Sequence, residues 1–187
     1  MKSLLVIALL AATAVAGPAK KYHFELTAVT PKPEVKPEVA KIAQERVEAQ
    51  FKKALDANPQ LVSNLEGAPD PATKADAYRR YLTQKGISGS YLVTVEITDA
   101  SEELQPMEGK SNTQREVVHV GIHVLGETIP GRTMGFTGDG QATVKQEIGM
   151  KVRETDRNYA WDGAAETAVN DALKTCFAKL SMPKAKP

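Results

Sequence analysis

The chain reads as an α/β (α+β) domain: a mixed β-sheet of about five strands with three helices, in the order β-α-β-α-β-β-β-α. Two observations predict this. Tyr91-Leu92-Val93-Thr94-Val95-Glu96-Ile97-Thr98 and Val117-Val118-His119-Val120-Gly121-Ile122-His123-Val124-Leu125 are β-rich runs near the middle of the chain, with the period of two that a strand requires. Helical patterns with one apolar face precede and follow them, and such a face needs a sheet to cover.

Near the start, Lys2 precedes an apolar run from Leu4 to Val15, whose end, Ala14-Val15-Ala16, puts small residues at the positions a signal peptidase reads. The pattern is that of a secretory signal peptide cleaved near Ala16. The run is short for a span of ~30 Å of hydrocarbon. Expected divisions are therefore a signal peptide over 1–16, a single α/β domain over 17–181 and a disordered tail over 182–187. The mature chain has no second apolar stretch long enough for a transmembrane segment, so the reading is exported, periplasmic or extracellular, and soluble after cleavage. With Lys2 gone, 23 basic residues face 23 acidic ones. A neutral chain without a dense basic patch excludes nucleic acid as the expected partner. Cys176 is the only cysteine, so no internal disulfide forms. Its neighbours place it on the apolar side of a helix, as a buried, inert thiol.

Taken in order, Gly17 to Lys21 is a loose leader. Tyr22, Phe24, Leu26 and Ala28 alternate on one face of a first strand, ended by Thr30-Pro31-Lys32-Pro33. Pro37 opens a helix over 38–57 with Val39, Ile42, Ala43, Val47, Phe51, Ala54 and Leu55 on one side, and Asn58-Pro59 stops it. Leu61-Val62 fits a short edge strand. Asp70-Pro71 reads as an N-cap and first turn of a second helix, closed by Gly86. The central strand Tyr91–Thr98 follows. Ala100 to Gln114 is polar, with Glu102, Glu103, Pro106 and Gly109, and reads as a mobile loop. Glu116–Leu125 pairs next, then a turn at Gly126–Gly131. Gly138-Asp139-Gly140 is either a tight hairpin turn or a bulge in one long bent strand to Glu147, the bent strand being favoured. Ile148–Tyr159 reads as irregular, and Asp162 as the cap of a last helix over 163–180.

The candidate chemistry is sparse. His119 and His123 share a strand face, but four residues at ~3.3 Å put them ~13 Å apart, too far for one metal ion. The expectation is no metal, no cofactor and no catalytic residue. Gly131, Gly135, Gly138 and Gly140 lead into a strand rather than a helix, so they cradle no phosphate. Gly86-Ile87-Ser88-Gly89-Ser90 has neither the spacing nor the context of a nucleophile elbow. Glu102 and Glu103 read as solvated loop acids. Tyr159 and Trp161 before a helix can anchor a partner or pack over the sheet edge.

The passage from Leu82-Thr83-Gln84-Lys85-Gly86 into Tyr91-Leu92-Val93-Thr94-Val95-Glu96-Ile97-Thr98 resembles the helix-then-strand passage of extracytoplasmic domains in the CsgG, LpoB and TolB N-terminal group. Val95 stands where that group usually has glycine. Phe136-Thr137-Gly138-Asp139-Gly140-Gln141-Ala142-Thr143-Val144 and the alanine-rich last helix are also similar. The resemblance implies a non-enzymatic module of the bacterial cell envelope that binds other proteins, and it brings no catalytic residues. Tyr159, Trp161, His119 and His123 are the candidate partner-binding residues. The chain has no lipid-anchor cysteine after its leader, unlike the lipoprotein members. Two alternatives stand beside this reading: a small periplasmic ligand-binding protein or hydrolase using the His119/His123 face, and a subunit of a surface assembly, a homo-oligomer included, joined through the edge strand Leu61-Val62.

Overall fold

The computed structural model describes residues 20–62 and 64–182; the leader 1–16 and the tail beyond Met182 lie outside the described residues. The elements are β1 (Lys21–Pro31), α1 (Pro37–Ala57), β2 (Leu61–Val62), α2 (Ala75–Gln84), β3 (Ile87–Met107), β4 (Lys110–Thr128), β5 (Met134–Gly149) and α3 (Glu154–Ser181). This is the expected order. The sheet runs β2-β1-β3-β4-β5. β1 is parallel to both β2 and β3, and β3, β4 and β5 are antiparallel neighbours.

One face of the sheet is the core. Val93, Val95 and Ile97 of β3 and Val118, Val120, Ile122 and Val124 of β4 point into it, under α1 and α3. Near one end Phe24 stacks on Phe136 and Phe177 at centroid distances of 5.0 and 5.9 Å, with Tyr91 edge-on to Phe136. α2 lies against the other face, where Tyr78, Leu82 and Ile87 form a separate small cluster. Among the described residues, no helix covers the rest of that face.

Local signals placed α1 well. Pro37 occupies its first turn, Lys52 reaches Glu48 at 2.6 Å, and the Asn58 side chain accepts from Gln60 N–H just after it stops. Gly86 has φ 67°, the left-handed geometry that favours glycine after a helix.

Five expectations need correction. The alternation of β1 breaks at Thr27, an extra residue between the pairs Leu26↔Val93 and Ala28↔Thr94. The Thr27 hydroxyl donates to Val93 C=O, and Val29, not Ala28, returns to the core. Asp70 closes a turn of its own, accepting from Ala72 N–H and the Thr73 hydroxyl, so α2 starts only at Ala75. The polar stretch 100–114 is not a loop. β3 continues to Met107 and turns at Glu108-Gly109 into β4. Beyond the helices both faces of this ribbon meet water, so polar composition there marks an uncovered strand pair. Gly138 and Gly140 lie in one long strand, the favoured alternative, but without the expected bulge: β5 is in unbroken register with β4 from Phe136 to Gly149. Last, α3 begins at Glu154. Arg153 and Asp156 pair across its first turn, and Asp162, instead of capping, holds Arg46 of α1 at 3.2 Å.

Cys176 is fully buried on α3, and burial pushes its thiol up to about 12. The thiol should resist a disulfide reagent in the native state and react once the chain is unfolded in denaturant. The stability tied to this shift is complete below the ordinary value of 9.0 and is lost as pH rises towards about 12, because only the unfolded thiol ionises in that window.

Candidate functional site

The uncovered sheet face is built from alternate residues of three antiparallel strands. Glu96 of β3, His123 of β4 and Asp139 of β5 lie in one cross-strand row. His123 Nδ1 is 2.5 Å from Asp139 Oδ1. In the next rows Asp99 opposes Gly121 and Gln141, and Ser101 opposes His119 and Thr143. His119 Nδ1 is 2.9 Å from the Thr143 hydroxyl, and its Nε2 is 3.4 Å from Asp99 Oδ2. Both imidazoles are about a quarter exposed, whereas Asp99 and Asp139 are 67% and 73% exposed. Each histidine therefore has its own carboxylate, and the two do not converge.

Gly121 opens a notch between them. β3 carries an extra residue between Ile97 and Asp99, which brings Thr98 and Asp99 to the same place opposite Gly121. A Cβ on Gly121 would sit 3.1 Å from Thr98 Oγ1 and 3.6 Å from Asp99 Cβ. The notch widens into a groove of about 760 Å³ that passes round β5 to Asp171, Lys174 and Thr175 of α3. β5 forms this edge of the sheet, and its outer side pairs with no described strand.

Tyr159 and Trp161 part company. Tyr159 is 71% exposed on the outer side of α3, whereas Trp161 has no exposed surface. Trp161 Nε1 donates to Glu102 Oε2 at 3.0 Å, and Arg157 grips the same carboxylate through Nε and Nη2 at 2.9 and 2.7 Å. This bond raises the Arg157 pKa. Glu102 is thus no solvated loop acid; it fastens the base of the long hairpin to α3. Beside it Glu116 is wholly buried, with one carboxylate oxygen taking the Gln146 amide and the other without a partner among the described residues.

No family model matches the chain, and no curated protein matches it. Solved structures with a similar path include a minor lipoprotein from Acinetobacter baumannii, at 12% identity and TM-score 0.44, covering 91% of this chain and 100% of that one. The rare lipoprotein B from Shewanella oneidensis has 8% identity and TM-score 0.39, covering 83% and 94%. The PelC dodecamer from Paraburkholderia phytofirmans has 10% identity and TM-score 0.29, covering 86% and 93%. No function passes to this chain from them.

Sequence reasoning missed a second polar group, beneath α2. His23 Nδ1 and the Tyr78 hydroxyl both meet the Ser90 hydroxyl at 2.8 Å, all three residues being buried. Burial lowers the His23 pKa, against an opposing pull from Glu25. The trio docks α2 on the sheet; its members lie 67 and 12 residues apart, and no local pattern joins them. Asp99, Asp139 and Thr143 were missed for the same reason, although the alternation of β5 puts Asp139 and Thr143 on one face and could have flagged them.

Proposed function

We propose that the chain is an exported, non-enzymatic binding module of the bacterial cell envelope, and that its protein partner docks on the uncovered face around Gly121 and along the free edge of β5. One observation carries this: a sixteen-residue edge strand whose outer side pairs with no described strand, only the Asp139 carbonyl taking a long 3.5 Å bond from Thr175, borders an open groove. Main-chain groups on such an edge supply affinity and the groove supplies side-chain selection. The other sheet edge, β2, is two residues long and offers little for strand addition. The leader sequence and the resemblance to extracytoplasmic domains support the placement in the envelope.

A photo-crosslinking side chain at Gln141 should yield a discrete adduct with one envelope protein in cells, and the same probe at Arg80 of α2 should not. Asp139→Lys, an exposed charge reversal in the groove, should reduce the adduct severalfold. Identical adducts from both positions would sink the proposal.

A second reading rests on the Thr143–His119–Asp99 chain, which has the hydroxyl, imidazole and carboxylate of a nucleophilic hydrolase. Its carboxylate is exposed to water, where pairing is weak. Ester turnover by the purified chain that disappears in His119→Ala would replace the binding reading with this one.

A further inference from the structure

The other end of the sheet carries a second groove, away from the histidines. Here β1 and β3 begin, β4 turns into β5, and α3 ends. The groove measures about 440 Å³. Lys20 and Lys179 line it, with the hydroxyl residues Ser88, Thr128 and Thr133, and no carboxylate is among its lining residues. The nearby Glu127 is already held by Arg132 at 2.9 Å. Lys179 gives one hydrogen bond to Thr137, at 2.7 Å, and an ammonium has three donors to offer.

Met134 and Met182 also line this groove, and they are 61% and 63% exposed. Leu104, Met150 and Tyr159 are the other exposed large hydrophobics among the described residues, so two of the five gather at one small basic hollow. Thioether side chains are apolar and conformationally adaptable. An apolar rim around a basic, hydroxyl-lined hollow matches a surface that presents phosphate and hydrocarbon together.

We propose that this end of the molecule rests on a membrane containing anionic phospholipid, with a headgroup phosphate between Lys20 and Lys179 and the side chains of Met134 and Met182 in the interfacial layer. A free phosphate would engage the lysines alone and gain nothing from the methionines. Peripheral binding of this kind is weak and reversible, with each lysine near an anionic surface worth roughly fivefold in affinity. The two grooves share no lining residue; the membrane site takes only the first two residues of β5, and the proposal does not rest on the partner site.

The test is co-sedimentation of the purified chain, leader removed, with vesicles of phosphatidylglycerol and phosphatidylcholine, and with phosphatidylcholine alone. Binding to the mixed vesicles only, weakening as salt rises, is the expected result. Lys20→Gln with Lys179→Gln should lower the affinity by roughly 25-fold. Met134→Ser with Met182→Ser should lower it at unchanged charge. Lys52→Gln with Lys53→Gln on α1, an equal change in net charge, should leave it unaltered. Circular dichroism confirms that each variant is folded. Equal binding to both vesicle types, no binding to either, or an equal loss in the α1 pair would overturn the proposal. So would thermal stabilisation by inorganic phosphate in a chain that ignores vesicles, which would assign the groove to a free anion.

Discussion

Replacing Gly140 with alanine should destabilise the protein by about 3 kcal/mol or more, and valine there should prevent folding. The methyl group would stand 2.7 Å from Ala172 N and would collide with Ala168 C=O. Both are backbone atoms of a 28-residue helix, which cannot move aside as a flexible side chain would. α3 would have to lift from β5, opening the contact made by Ala164, Ala165, Ala168 and Ala172, all without exposed surface. For a chain of this size the expected fall in Tm is roughly 6–12 °C. Gly149→Ala on the same strand is the control. Nothing lies within 4 Å of its added Cβ, so its melting curve should stay near that of the parent.

Trp161→Ala should cost about 4 kcal/mol, read as a shift in the urea midpoint followed by circular dichroism. Trp161 is the largest fully buried side chain. Two effects add: a cavity is left in the core, and Glu102 loses a donor while still partly buried. Trp161→Phe separates them. It keeps much of the apolar contact but loses the N–H and part of the ring, leaving a smaller void, so it should cost less, about 2 kcal/mol. A tryptophan that served only as an exposed partner anchor would show neither loss.

These two sites show where sequence reading succeeds and stops. The glycines of Phe136-Thr137-Gly138-Asp139-Gly140 were visible as an anomaly within a strand. Their cause is not backbone freedom, since the register of β5 is regular; it is the closeness of α3, which sits about thirty residues further along the chain. Trp161 was visible as a large aromatic near a helix, but whether it faced water depended on Glu102 and Arg157. The polar run 100–114 misled because a strand pair with water on both sides has the composition of a loop.

The sequence by itself determined the order of elements, the length of α1, the glycine stop after α2 and the pairing of the two central strands. Those features rest on periodicity, prolines and caps, whose energies act within a few neighbouring residues. Only the tertiary structure decided the hairpin arm, the early start of α3, the carboxylate beside each histidine, and the gathering of Lys20 and Lys179 with two exposed methionines. Those are contacts between residues brought together by strand register and helix packing. No local preference encodes them, because their free energy appears only when both partners are already in place.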